Sequence, residues 1–303
     1  MANAIEVQNI SFAYDKDRKA LDHVSLNVEA GSTVGLLGPN GGGKTTLFKI
    51  ITSQIRTYEG DVIINGLSLR QNLSKALHQL GVVFQSPSLD KKLTIEENLI
   101  YHGYLYGYSP AQIQQRMDHL LDVLSIRDRK KDLVGELSGG LARRAEIVKS
   151  LLHAPKILIL DEPSTGLDIA VRIDLWNLLK KIQSDQKMTI LLTTHFIEEA
   201  DRCDHIVLLN QGKVLSSGTP TELKSKLAYK VFQVKPKDHA SLQSLLSSQF
   251  KVAAKEEHGY LQFRVQPSDA KTIASELSSH VEELTYRDPS LEDVFVEMAG
   301  HKL

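Results

Sequence analysis

Gly38-Pro39-Asn40-Gly41-Gly42-Gly43-Lys44-Thr45-Thr46 is the stretch on which the fold turns. It follows a strand-like run, Thr33–Leu37, and precedes Leu47, Phe48, Ile50 and Ile51, an apolar stripe at helical spacing. Residues 38–45 fit G-x-x-x-x-G-K-[ST] in the strand–loop–helix context that this pattern requires. Glycines let the backbone curl until successive N–H groups point inward at phosphate oxygens. The following helix turns its N-terminus on the same anion. Lys44 is then placed to bridge the β- and γ-phosphates, and the Thr45 hydroxyl to ligate Mg²⁺. Residues 38–46 are accordingly the candidate nucleotide contacts.

Outward from this loop, strand-like segments cover Ala4–Ile10, Leu21–Glu29 and Asp61–Ile64, the last closing at the turn Asn65-Gly66. Val82-Val83-Phe84, between Gly81 and Pro87, reads as a short buried strand. From about Thr94 to Leu152 the period becomes helical. Ser109-Pro110-Ala111-Gln112 combines an N-cap, a proline at the first helical position and a capping-box glutamine. The helix it opens turns Ile113, Met117, Leu120, Leu121 and Leu124 inward. Strand–helix alternation then returns, with strands at Ile157–Leu160, Thr189–Thr193 and His205–Leu209 and helices at Ala170–Ile182 and from Ile197–Asp201. A helical insertion within such a series predicts a two-lobed nucleotide-binding unit over 1–220. After Gly218-Thr219-Pro220, strands at Tyr229–Val234, Tyr260–Val265 and Val281–Tyr286 alternate with helices near Leu245 and Ile273. These predict a small α+β domain over 221–303 of ferredoxin-like order, ending in a helix that starts at Ser290.

Composition narrows the function classes. The 303 residues are 42% hydrophobic and 24% charged, ordinary for a globular chain with a sizeable core. A formal net charge of −1 leaves no footprint for general nucleic-acid binding, so any anion is held by local geometry. The single cysteine, Cys203, excludes an intrachain disulfide and fits a reducing compartment. The first residues carry no signal-peptide pattern. The longest apolar runs, Ile157–Leu160 and Ile206–Leu209, are far too short to span a membrane.

Ile157-Leu158-Ile159-Leu160-Asp161-Glu162-Pro163 is an apolar strand that ends in two carboxylates. Such a strand delivers its carboxyl end to a ligand crevice. Asp161 is the candidate for holding Mg²⁺, and Glu162 for polarising the attacking water.

Leu137-Ser138-Gly139-Gly140 lies within the helix-rich stretch, its serine 23 residues before Asp161 (161 − 138). With the two motifs above, this tetrad resembles the signature of ATP-binding-cassette (ABC) ATPases, and the resemblance covers almost all of 1–220. It implies an α/β, P-loop NTPase core with an antiparallel β subdomain, a helical subdomain at about 94–152 and a small C-terminal domain of regulatory role. It implies that Tyr14 stacks on adenine, that Gln85 touches Mg²⁺ and senses the membrane subunit, and that His195 contacts the γ-phosphate. Ser164-Thr165-Gly166-Leu167-Asp168 is similar to the loop that crosses the family's dimer interface. In that family two cassettes associate head to tail. Each ATP would lie between one copy's phosphate loop and Ser138, Gly139 and Gly140 of the other. Leu141 departs from the glutamine commonest at the fifth signature position, while the serine and glycines are intact.

Ser88–Leu99 and Asp288–Phe295 resemble stretches of ABC-2-type ATPases that export drugs, polysaccharides or sodium. The resemblance implies an ATPase, with ATP and Mg²⁺ as ligands, acting at the inner face of the cell membrane. Its partners would be a second copy of itself and a separate integral membrane permease, with no nucleic acid. Two other readings stay open: a soluble, non-transport ABC ATPase acting on nucleic acid or ribosomes, and a module that binds ATP without hydrolysing it. Tyr101, Tyr104, Tyr106 and Tyr108 have no interleaved Lys or Arg, and read as packing or as a dock for the membrane subunit.

Overall fold

The computed structural model describes residues 2–15 and 18–300. Contacts divide the chain into two compact units that meet in sequence between Thr219 and Pro220.

The first unit contains β1 (Asn3–Asp15), β2 (Arg18–Glu29), β3 (Thr33–Leu37), α1 (Lys44–Ile51), β4 (Glu59–Ile64), β5 (Leu67–Ser68), α2 (Leu73–Leu77) and β6 (Leu80–Val83). Next come the helices α3 (Ile95–Leu105), α4 (Pro110–Val123) and α5 (Gly139–Leu151). The unit closes with β7 (Ile157–Asp161), α6 (Ile169–Gln186), β8 (Thr189–Thr194), α7 (Ile197–Ala200), β9 (His205–Asn210) and β10 (Lys213–Gly218).

Two sheets form from these strands. One is antiparallel, in the order β2-β1-β4-β5. The other runs β10-β9-β3-β8-β7-β6, parallel except for β10 at its edge. Every residue of β3, β7 and β8 is buried, as expected of parallel strands covered on both faces. One apolar core joins Ile5, Val7 and Ile10 of the antiparallel sheet to Leu36, Ile159, Leu191 and Val207 of the parallel one. Phe48, Ile50 and Ile51 of α1 belong to the same core, so the helix behind the phosphate loop is anchored by both sheets. Each such fully buried side chain contributes about 1.5–3 kcal/mol.

The helical lobe forms from its caps inward. Ser109 Oγ accepts from Gln112 N–H at 3.4 Å, and Gln112 Oε1 accepts from Ser109 N–H at 2.9 Å. Ile113, Met117, Leu120 and Leu121 of α4 are buried. α3 carries a second capping box, between Thr94 and Glu97.

Several local expectations are corrected. The strand expected at 82–84 is β6, and Phe84 lies beyond its end, where its carbonyl accepts from Arg143 Nη1 at 2.8 Å. The helix expected from Ile197 is the single turn α7, which stops at Ala200 before Cys203 and Asp204 lead into β9. The first strand runs on to Asp15, so Tyr14 is a strand residue. The edge strands β5 and β10 carried too little apolar alternation to stand out in the sequence.

The second unit contains α8 (Pro220–Ser225), β11 (Lys230–Pro236), α9 (His239–Ser248), β12 (Lys255–Glu257), β13 (Tyr260–Val265), α10 (Ala270–Leu277), β14 (Val281–Arg287) and α11 (Leu291–Ala299). Its sheet is antiparallel in the order β12-β13-β11-β14, a split β-α-β-β-α-β arrangement. Phe232 stacks between Phe263 at 5.2 Å and Tyr286 at 4.9 Å, over a core with Leu242, Leu246 and Ile273.

Candidate nucleotide site

Parallel pairing brings three chain segments to one edge of the sheet. β3 lies beside β8 with Leu37 opposite Thr194, and β8 beside β7 with Thr193 opposite Asp161. The residues just past those strand ends therefore converge: loop 38–43, Glu162 and His195. Ligands of open α/β sheets bind at this carboxyl edge.

A cleft of about 660 Å³ opens there. Of the residues expected from the sequence, Tyr14, Pro39, Asn40, Gly41, Gly43, Lys44, Thr45, Thr46 and Glu162 line it. Gly38 and Gly42 form the buried base of the same loop. A Cβ on Gly38 would fall 2.0 Å from the Leu209 carbonyl oxygen, and Gly43 has φ 107. Only glycine fits both requirements.

Lys44, 3% exposed, is a buried cation of the cleft. Its Nζ donates to Gly38 O at 2.7 Å and Pro39 O at 3.1 Å, and lies 3.6 Å from Glu162 Oε1. Burial lowers its pKa from the ordinary lysine value, and the charges of Glu162 and Asp161 act against that. Asp161 is buried too, and desolvation raises its carboxyl above the usual range despite a 2.6 Å hydrogen bond from the Thr193 hydroxyl.

Glu162 stands in a left-handed conformation, φ 44, a strain of about 1–2 kcal/mol for a non-glycine residue. Thr193 holds it there: Glu162 N–H is 2.9 Å from Thr193 Oγ1 and 3.2 Å from the Thr193 carbonyl. This conformation aims the carboxylate back into the cleft. Its Oε2 accepts from the Thr165 hydroxyl at 3.1 Å and lies 3.3 Å from His195 Nδ1. A buried lysine on a glycine-rich loop and a carboxylate beside it suit the binding and hydrolysis of a phosphoanhydride.

Tyr14 closes the other end. Its ring is 59% exposed, packs edge-on against Phe12 at 4.8 Å, and its hydroxyl is 3.4 Å from Thr46 Oγ1. The ring body therefore remains open to a flat partner.

Four expected residues stand apart. Gln85 is exposed and outside the cleft, with its carbonyl 3.4 Å from Arg143 Nη2. Ser138, Gly139 and Gly140 open α5 and do not line the cleft either. Ser138 caps the helix through Leu141 N–H at 3.4 Å, and a Cβ on Gly140 would fall 2.6 Å from Val171 Cγ1. Conversely, Asp15, Arg18, Lys19, Ala20, Gln211 and Gly212 line the cleft without having been anticipated. Gly212 between two apolar runs was the available signal, since glycine supplies the positive φ that a tight turn needs. Thr193 had none beyond its place in a strand.

Comparison with known proteins agrees with this geometry. A family profile described as ABC transporter matches residues 21–165, and one for the C-terminal domain of DrrA1-3-like ATP-binding proteins matches 218–299. The chain is 38% identical to a Nod factor export ATP-binding protein I of Cupriavidus metallidurans, over 74% of this chain and 73% of that one. It is 36% identical to the daunorubicin/doxorubicin resistance ATP-binding protein DrrA of Streptomyces peucetius, over 82% of this chain and 76% of that one. A solved ATP-binding subunit of an ABC transporter superposes with TM-score 0.65 and 31% identity, covering 74% of this chain and 92% of its own. A dimeric ATP-binding cassette bound to ADP and Pi superposes with TM-score 0.64 and 27% identity, covering 71% and 98%. The chain belongs to the ABC transporter family, as one of its ATP-binding, ATP-hydrolysing subunits.

Proposed function

We propose that two copies of this chain enclose ATP head to tail and drive export through a separate integral membrane permease. The observation that supports this reading is the separation of the signature from the cleft within one copy. Lys44 and Glu162 face the cleft together, while the start of α5, with Ser138 and Gly139 exposed and Gly140 half-buried, lies outside it. In the proposed dimer Ser138 and the Gly139–Gly140 backbone donate to the γ-phosphate bound by the partner copy, where charge-assisted bonds are strongest. Lys44 bridges the β- and γ-phosphates, Tyr14 stacks on adenine, and Glu162 accepts a proton from the attacking water. His195, beside Glu162, contacts the γ-phosphate.

Mg²⁺ fits the donors available. Thr45 and Asp161 offer hard oxygen ligands, and a cation would relieve the desolvation that raises the Asp161 carboxyl. When bound, Mg²⁺ supplies charge neutralisation at the phosphates. Gln85, on the loop after β6, is the proposed further contact.

Export is supported by the names of the relatives, which include Nod factor export and drug resistance proteins. No helix among the described residues is long and apolar enough to cross a membrane. A permease supplied as another chain accounts for the exposed apolar end of α3, where Tyr101, Tyr104 and Leu105 are 59%, 51% and 83% exposed. The proposed location is the inner face of the cell membrane, and the proposed role of residues 221–303 is regulatory.

Glu162→Gln tests the dimer. It keeps the shape of the side chain and removes the base, so ATP should hold a dimer in size-exclusion chromatography with light scattering while turnover falls about 10²–10⁴-fold. A monomer under saturating ATP refutes the assignment. Affinity purification from detergent extracts tests the permease, and recovery of ribosomes or DNA with no integral membrane protein refutes export.

A further inference from the structure

One wall of the nucleotide cleft is a hairpin tip. β9 and β10 pair Asn210 with Lys213, and the two residues between them, Gln211 and Gly212, have φ 47 and 75. Positive φ at both central positions marks a type I′ turn. The tip is tied on two sides: Gly212 N–H donates to Gly42 O at 3.0 Å, and Gly212 O accepts from Asp22 N–H at 2.9 Å. One residue thus joins the phosphate loop to β2.

The fit leaves no slack. A Cβ on Gly212 would lie 2.7 Å from Ala20 O. One on Gly43 would lie 2.9 Å from Ala20 O and 3.3 Å from Gly212 Cα. The phosphate loop is seated in a slot between Leu209–Gly212 and Ala20–Leu21. Asp22 adds a charged tie across it, with Oδ1 2.7 Å from Lys19 Nζ and Oδ2 3.2 Å from Lys213 Nζ.

We propose that the Gln211–Gly212 tip is a positioning element for nucleotide binding, with Gly212 and Asp22 as positioning residues that act through the phosphate loop. The reason is peptide geometry. In a planar trans peptide the C=O and the following N–H point in opposite directions. Holding the Gly42 carbonyl outward against Gly212 therefore turns the Gly43 N–H inward, towards the place of the phosphates. Removing the tie lets that peptide rotate, so the site loses a preorganised donor rather than a contact with the base. This rests on reading the cleft as the ATP site.

The test is calorimetric titration of the full chain with ATP and, separately, with inorganic tripolyphosphate, alongside a melting curve. Gly212→Ala, forced into the left-handed region against Ala20 O, should raise both dissociation constants about tenfold. Asp22→Asn keeps the backbone bond and loses the ion pairs, so it should raise both about two- to fivefold. If Gly212→Ala yields no folded protein, Asp22→Asn alone decides. A lower melting temperature with both constants unchanged makes the tip merely structural and overturns the proposal. Lys44→Ala separates the two readings: if it binds as tightly as the natural chain, the nucleotide assignment of the cleft itself fails.

Discussion

Replacing Arg143 by methionine removes the centre of a buried clamp between the signature helix and the loop after β6. Arg143 is 9% exposed and Glu146 4% exposed. Arg143 Nη1 donates to Glu146 Oε2 and to the Phe84 carbonyl, both at 2.8 Å, and Glu146 Oε1 accepts from Ser88 N–H at 2.6 Å. Methionine fills much of the volume but leaves a carboxylate buried with one neutral donor. Breaking a buried pair in this way costs about 3–5 kcal/mol. At about 2–4 °C per kcal/mol for a unit of this size, the melting temperature should fall by about 6–20 °C. The double variant Arg143→Met, Glu146→Met removes the stranded charge and leaves the Ser88 N–H unpaired, a loss of about 1–3 kcal/mol. The double variant should therefore be more stable than the single one. Urea unfolding followed by tryptophan fluorescence reads this out, because the only tryptophan, Trp176, is buried in the first unit. A single-variant loss below about 1 kcal/mol, or a double variant weaker than the single, refutes the clamp.

Two further outcomes concern acidity. Because burial raises the Asp161 carboxyl, the folded nucleotide-free chain is favoured below the unfolded carboxylate value and loses that advantage as pH rises through the folded one. Asp161→Asn should therefore raise the melting temperature at neutral pH, with the gain vanishing in acid, while ATP turnover is lost. A destabilised Asp161→Asn at neutral pH contradicts the desolvation argument. In the helical lobe, burial holds His102 and His153 down to about 4 from 6.5, with Tyr106 stacked 4.2 Å from His153. The unfolded chain takes up these protons first, so stability should fall as pH drops from 6.5 towards 4. Phenylalanine at both positions should flatten that fall in pH-dependent melting curves, and an unchanged slope rules out the histidines as its source.

Much of the site was legible because its chemistry is local in the chain. A glycine-rich loop, its lysine and its hydroxyl are consecutive, so spacing alone exposes them, and the two carboxylates end one apolar strand. The capping boxes at Ser109 and Ser290 were readable for the same reason: each is a bond between residues three apart. The full extent of β1 was less legible, since its end through Tyr14 and Asp15 takes strand geometry from pairing with β2 rather than from its own alternation.

What the sequence by itself determined, then, is the glycine-rich loop with its lysine, the two carboxylates that end an apolar strand and the order of the two units, because local backbone preference and apolar period carry them. Only the tertiary structure decided that Thr193 fixes the strained Glu162, that Gln211 and Gly212 wall the cleft, and that Ser138 to Gly140 stand outside it. Those relations depend on parallel strands laid side by side and on a hairpin folded back onto the phosphate loop. Hydrogen bonds between segments so distant in the chain leave no period or spacing to read, and they exist only once the sheets close over α1.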